Sequence, residues 1–96
     1  MGKVKSTVAL LRLRLYVAGN APNSVSAIAS LRAICDEHFA ADHEIEIVDM
    51  LVDPLRALAD GVIVTPTLLK LSPLPVQRLI GNLSNRGQVL VLLGGK

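Results

Sequence analysis

Between Leu11 and Val17 the chain alternates strictly: Leu11, Leu13, Leu15 and Val17 are aliphatic, and Arg12, Arg14 and Tyr16 stand between them. A two-residue period marks a β-strand with one wholly apolar face, and such a face has to be covered. The strand is predicted over Thr7 to Ala18, ending in the turn-forming Gly19-Asn20-Ala21-Pro22-Asn23. A helix follows. Asn23 or Ser24 is the expected cap, and Val25, Ile28, Leu31, Cys35 and Phe39 form a stripe at three- and four-residue spacing. Glu44 to Met50 alternates again, with Ile45 and Ile47 opposite Glu44 and Glu46, and gives a second strand. Strand, helix and strand make a βαβ unit, in which the two strands run parallel and the crossover is right-handed.

The second half is less determined. Asp53 is the expected cap of a short helix with Pro54 in its first position and Gly61 as its stop. Pro66, between Val62-Ile63-Val64 and Thr67-Leu68-Leu69, has no amide to donate, so it belongs at a strand start, an edge or a cis turn. Beyond Pro73-Leu74-Pro75 two solutions have equal local merit. Either Val76 to Ile80 is a strand and Ser84 caps a final helix through Leu93, or Pro75 opens a helix that Gly81 ends, with a strand over Val89 to Leu92. Aliphatic runs of this kind suit both states, and a chain that switches folds needs such a degeneracy.

A length of 96 residues fits one domain, 1–96. Hydrophobic residues are 51% of it, yet Tyr16 and Phe39 are the sole aromatics. A chain this short hides only about 60% of the surface its unfolded form exposes. Apolar patches are therefore expected on its surface, and with them a homo-oligomer or a protein partner. No apolar run approaches the roughly 18 residues of a membrane span, and Arg12 and Arg14 interrupt the Val8–Leu11 stretch before it reaches signal-peptide length. The expectation is a cytoplasmic protein without a membrane partner.

All eight acids (Asp36, Glu37, Asp42, Glu44, Glu46, Asp49, Asp53 and Asp60) fall between positions 36 and 60, and both ends are purely basic. Such segregation suits docking to a complementary protein surface. It does not suit nucleic acid, because a dense Lys/Arg cluster and an aromatic stacking platform are both missing.

Chemistry is sparse. The strand-to-helix turn Asn20-Ala21-Pro22-Asn23 stands where a thioredoxin carries Cys-x-Pro-Cys, and carboxamides replace both thiols. Redox exchange is excluded at that turn. Cys35 reads as a buried filler, and Cys35 with His38 gives two metal ligands at most. No cofactor, metal site or catalytic group is expected, and the protein is read as a non-enzyme.

Three stretches together carry a resemblance: Leu15-Tyr16-Val17-Ala18-Gly19-Asn20-Ala21-Pro22-Asn23-Ser24, Val64-Thr65-Pro66-Thr67-Leu68, and Leu74-Pro75-Val76-Gln77-Arg78-Leu79-Ile80-Gly81-Asn82-Leu83-Ser84. They resemble the signature stretches of the KaiB family of circadian clock proteins, over about positions 10 to 93. The resemblance implies an α/β, thioredoxin-like fold in one of two states, the other being a ground-state homotetramer. It also implies a regulator that binds the ring-shaped ATPase KaiC in competition with the thioredoxin-like domain of a sensor histidine kinase, SasA. Carried over by position, Asp53, Leu55, Arg56 and Arg78 are the partner-binding residues, and Pro66, Gly81 and Asn82 are the fold-switch residues. Asn82 stands where many relatives have Asp, Gln77 where they often have Arg, and Ser26 where they have a basic residue. The alternatives are a redox-inactive adaptor similar to the SasA amino-terminal module and, further off, a thioredoxin-superfamily oxidoreductase.

Overall fold

The computed structural model describes residues 10–39 and 43–94. Its elements run β1 (Leu11–Val17), α1 (Pro22–His38), β2 (His43–Asp49), α2 (Pro54–Ala59), β3 (Thr67–Ser72), β4 (Gln77–Ile80) and α3 (Arg86–Leu92). They form one four-stranded sheet in the order β2-β1-β3-β4. β2 is parallel to β1, as the βαβ reading requires, while β3 and β4 are antiparallel to their neighbours. Of the expected first strand, Thr7 to Ala9 lie outside the described residues.

The alternation in β1 assigns the two faces of the sheet. Leu11, Leu13, Leu15 and Val17 pack with Leu68 of β3, with Ala27, Leu31, Ile34 and Cys35 of α1, and with Val89 and Leu93 at the C-terminal end. Tyr16 points the other way, into a smaller cluster with Val48, Ala57, Val62 and Leu69. Helices α1 and α3 therefore cover one face and α2 the other, and the aliphatic run of β1 and β3 is explained by burial on both sides.

Several local expectations are corrected. Helix α1 opens at Pro22, and neither Asn23 nor Ser24 caps it: Ala21 is the capping residue and makes no side-chain bond. Ser24 is buried instead, and its Oγ accepts from the Ala18 amide at 3.1 Å, tying the end of β1 to the helix. The buried stripe runs through Ser24, Ala27, Leu31, Ile34 and Cys35, leaving Val25 53% exposed. Asp53 does stand at the N-cap of α2, as expected, but caps through its backbone: its carbonyl accepts from the Arg56 amide at 3.3 Å and its side chain bonds no amide of the helix. Of the two C-terminal solutions this structure contains the strand followed by the helix, capped one residue later than expected: Asn85 Oδ1 accepts from the Gln88 amide at 3.0 Å.

The segregation of charge along the chain does not survive folding. Parallel pairing places Arg12 opposite Glu44 and Arg14 opposite Glu46, and each pair closes, at 3.2 and 2.8 Å. Arg86 likewise bridges to Glu37. The basic strand and the acidic strand neutralise each other within one molecule.

Candidate docking face on helix α2

The α2 face is built from the sheet upward. On it, register sets Glu46, Arg14, Leu69 and Arg78 in one row across all four strands. Helix α2 ends above this row at Asp60, whose carboxylate accepts from Arg14 Nη1 at 2.9 Å and from the Tyr16 hydroxyl at 2.6 Å. The same hydroxyl lies 3.0 Å from the Arg56 carbonyl, and Arg56 Nη1 reaches Glu46 Oε2 at 2.7 Å. Glu46 is thus held between Arg14 and Arg56.

Electrostatics follow the bonds. The Arg56 guanidinium, and Arg14 after it, pull the Glu46 carboxyl down to about 2. The Tyr16 hydrogen bond, with Arg14, holds Asp60 below its ordinary value. Burial, reinforced by the Asp60 carboxylate, pushes the Tyr16 hydroxyl up to about 12, so it stays a donor at any physiological pH. Nothing in this arrangement leaves a proton-transfer group or nucleophile unpaired.

Outward of the network the surface is apolar. Leu51, Val52, Leu55 and Leu58 are 73–79% exposed, and Ile63 at 86% extends the patch beyond the helix. Uncovered aliphatics are what the composition demanded; these lie on α2 and the segments flanking it, while Leu74, Val76, Ile80 and Val91 are exposed elsewhere. Asp53 and Arg56, half-buried, lie within the same segment.

The expected partner-binding residues are thus brought together only in part. Asp53, Leu55 and Arg56 share the α2 segment, but Arg78 arrives from β4, and its guanidinium is turned onto the protein itself: Nη2 donates to the Asp60 carbonyl at 2.9 Å and Nη1 to the Gly61 carbonyl at 3.1 Å. Of the expected switch residues, Pro66 and Gly81 meet, and Asn82 follows with a local bond. The Gly81 amide donates to the Pro66 carbonyl at 3.0 Å, the Thr65–Pro66 peptide is cis, and Asn82 Oδ1 accepts from the Ser84 amide at 3.1 Å. Gly81 has φ 128°, and two residues on Leu83 has φ 67° while its side chain is buried. A leucine in the left-handed region costs about 1–2 kcal/mol, so this loop stores strain. Composition and spacing missed Tyr16, Asp60, Arg14 and Glu46; the one sequence signal was the matched Arg/Glu alternation of β1 and β2.

The strand-to-helix turn carries no thiol. Cys35 lies in the core, where burial pushes its thiol up to about 11, the opposite of a reactive cysteine. His43 Nδ1 faces the Phe39 carbonyl at 2.7 Å and His38 lies beside Glu37. Among the described residues no group of three His, Cys, Asp or Glu side chains could hold a metal, and no helix is long and apolar enough to cross a membrane.

Strand order, the helices on both faces and the thiol-free turn define a thioredoxin-like protein lacking the redox pair. The solved structures agree on the fold. The N-terminal domain of Synechococcus elongatus SasA superposes with a TM-score of 0.76 at 21% identity, covering 98% of this chain and 92% of that one. Chloroplastic thioredoxin z gives 0.73 at 15% identity, covering 93% and 80%. The chain belongs to the KaiB family: the KaiB domain model matches residues 14–94. The circadian clock oscillator protein KaiB of Synechococcus elongatus is 47% identical over 79 residues, which are 82% of this chain and 78% of that relative. The protein of the same name from Prochlorococcus marinus matches at the same identity over 66% of its length. This is a family of clock proteins and not of enzymes.

Proposed function

We propose that the chain, acting as one domain over 1–96 in the cytoplasm, regulates a KaiC-type ATPase ring by docking onto it through the α2 face. Asp53, Leu55 and Arg56 touch the ring in this reading. The observation that carries it is the exposed aliphatic patch of Leu55 and Leu58 on α2 and of Leu51 and Val52 in the turn before it, with Arg56 and Asp60 engaged on the sheet side. Apolar burial supplies the free energy of docking, and the flanking charges set orientation. The amino-terminal module of a sensor histidine kinase is the natural competitor, since a module of the same fold can offer the same face.

The thioredoxin-like arrangement is the competent state in this proposal. It exchanges with a second state, a homo-oligomer (tetramer or dimer), in which the segment after Pro66 is rebuilt, with Pro66, Gly81 and Asn82 as the residues that set the balance. The strained loop at Leu83 and the two equal readings of Val76 to Leu93 support this. Apparent affinity falls in proportion to the competent population, so complex formation is slow to start.

The test is size-exclusion chromatography of the chain with the KaiC-type ATPase of its own organism, in ATP and in ADP, after incubation from minutes to a day. Co-elution that grows with time is expected. Separate elution at every time point would overturn the proposal.

A further inference from the structure

We infer that Arg78 is a positioning residue that makes the shape of the α2 docking face depend on the fold of the C-terminal half. The inference rests on the docking proposal above but concerns a different relationship, that between β4 and α2.

A six-residue helix has few internal hydrogen bonds, so the turn that ends it depends on outside partners. The Arg56, Ala57 and Leu58 carbonyls accept from the Asp60, Val62 and Gly61 amides of that turn, and the carbonyls of the cap residue Asp60 and of Gly61 both accept from the Arg78 guanidinium. Gly61 has φ 70°, and a Cβ there would lie 3.7 Å from Arg78 Nη2, so the chain reverses right against the guanidinium. Asp60 is therefore held from two strands, its carboxylate by Arg14 and Tyr16 of β1 and its carbonyl by Arg78 of β4.

The second grip exists only while residues 77–80 are extended. Arg78 reaches Asp60 because it is paired opposite Leu69, which puts it on the α2 face in the same row as Arg14. If Val76 to Ile80 became a helix, the other local solution for this segment, Arg78 would leave that row. The end of α2 would keep its hold on β1 and lose its hold on β4. Ring docking and the fold of the C-terminal half are then coupled through one side chain, with no partner contact needed from Arg78 itself.

The experiment compares wild type, Arg78→Met and Arg78→Lys by NMR amide exchange and by binding to the KaiC-type ring. The methionine keeps the aliphatic stem, and the lysine keeps the charge without the fork. In Arg78→Met the amides of Asp60, Gly61 and Val62 are expected to exchange about tenfold faster, with Leu15 and Leu68 unchanged. Ring affinity is expected to fall roughly 5- to 150-fold, the usual span of a coupling between sites. Arg78→Lys should restore part of both, and it is read alone if the methionine variant does not fold. Weaker binding with unchanged exchange at 60–62 makes Arg78 a direct contact and overturns the inference. Unchanged exchange with unchanged binding overturns it as well. If wild type fails to bind the ring while the exchange effect is present, the docking proposal falls and the link between β4 and α2 stands.

Discussion

The Tyr16 hydroxyl donates to Asp60 Oδ2 at 2.6 Å across 44 positions of sequence, and it fastens α2 to the centre of the sheet. Tyr16 is fully buried and the Asp60 side chain 28% exposed, so the bond is partly shielded from water. Bonds to a charged acceptor in such a setting are worth about 1.5–3 kcal/mol. Tyr16→Phe is expected to lower unfolding free energy by about that amount in urea titrations. A loss within experimental error would show that Asp60 is held by Arg14 alone.

Acid should weaken the same face. Glu46 titrates at about 2 in the folded protein against an ordinary 4.5, and Asp60 is shifted in the same direction. The Glu46 contribution to stability is therefore complete above about 4.5 and disappears as pH falls towards 2, and the Asp60 contribution has the same sign, lost on acidification. The Glu46 side chain is 45% exposed, and solvent screening keeps its share modest. Denaturation midpoints measured between pH 5 and pH 2 should fall less steeply for Glu46→Gln than for wild type.

The alkaline limit has the opposite sign. The Tyr16 hydroxyl titrates at about 12 when folded and near 10 when unfolded. Its contribution is whole below pH 10 and is lost as pH rises to 12. Unfolding followed by far-ultraviolet circular dichroism should set in over that interval, and Tyr16→Phe should flatten it.

The buried stripe of α1 can be checked with two substitutions. Leu31 has no exposed surface, whereas Val25 is 53% exposed. Leu31→Ala is expected to cost about 2–5 kcal/mol, the range for a truncated core leucine. Val25→Ala should stay within about 0.5 kcal/mol, as surface changes do. Equal costs would mean that the stripe through Val25 and Phe39 is the buried one.

For docking, Leu55→Glu and Leu58→Glu place a charge on surface that is already exposed. Stability should change by about 0.5 kcal/mol or less, while capture of the KaiC-type ring should drop sharply in the chromatographic assay. Binding at wild-type strength in both variants would remove α2 from the interface.

Where period and turn chemistry acted locally, the sequence was enough. The alternation of β1, the βαβ start, Pro54 at the head of α2 and the strand after Pro66 were all legible, because each depends on neighbours within a few residues. The cap of α1 was misplaced because Ser24 bonds the Ala18 amide instead, and that option exists only once strand and helix are side by side.

The sequence by itself determined that a short aliphatic chain would begin as a βαβ unit, leave apolar surface uncovered and carry no thiol at its first turn. The tertiary structure alone decided where that surface gathers, which C-terminal solution is present, and that charges segregated along the chain cancel across β1 and β2. Pairing between strands brings distant residues into register, and no local pattern contains that register. Glu46, Arg14, Leu69 and Arg78 become one row only when four strands lie side by side.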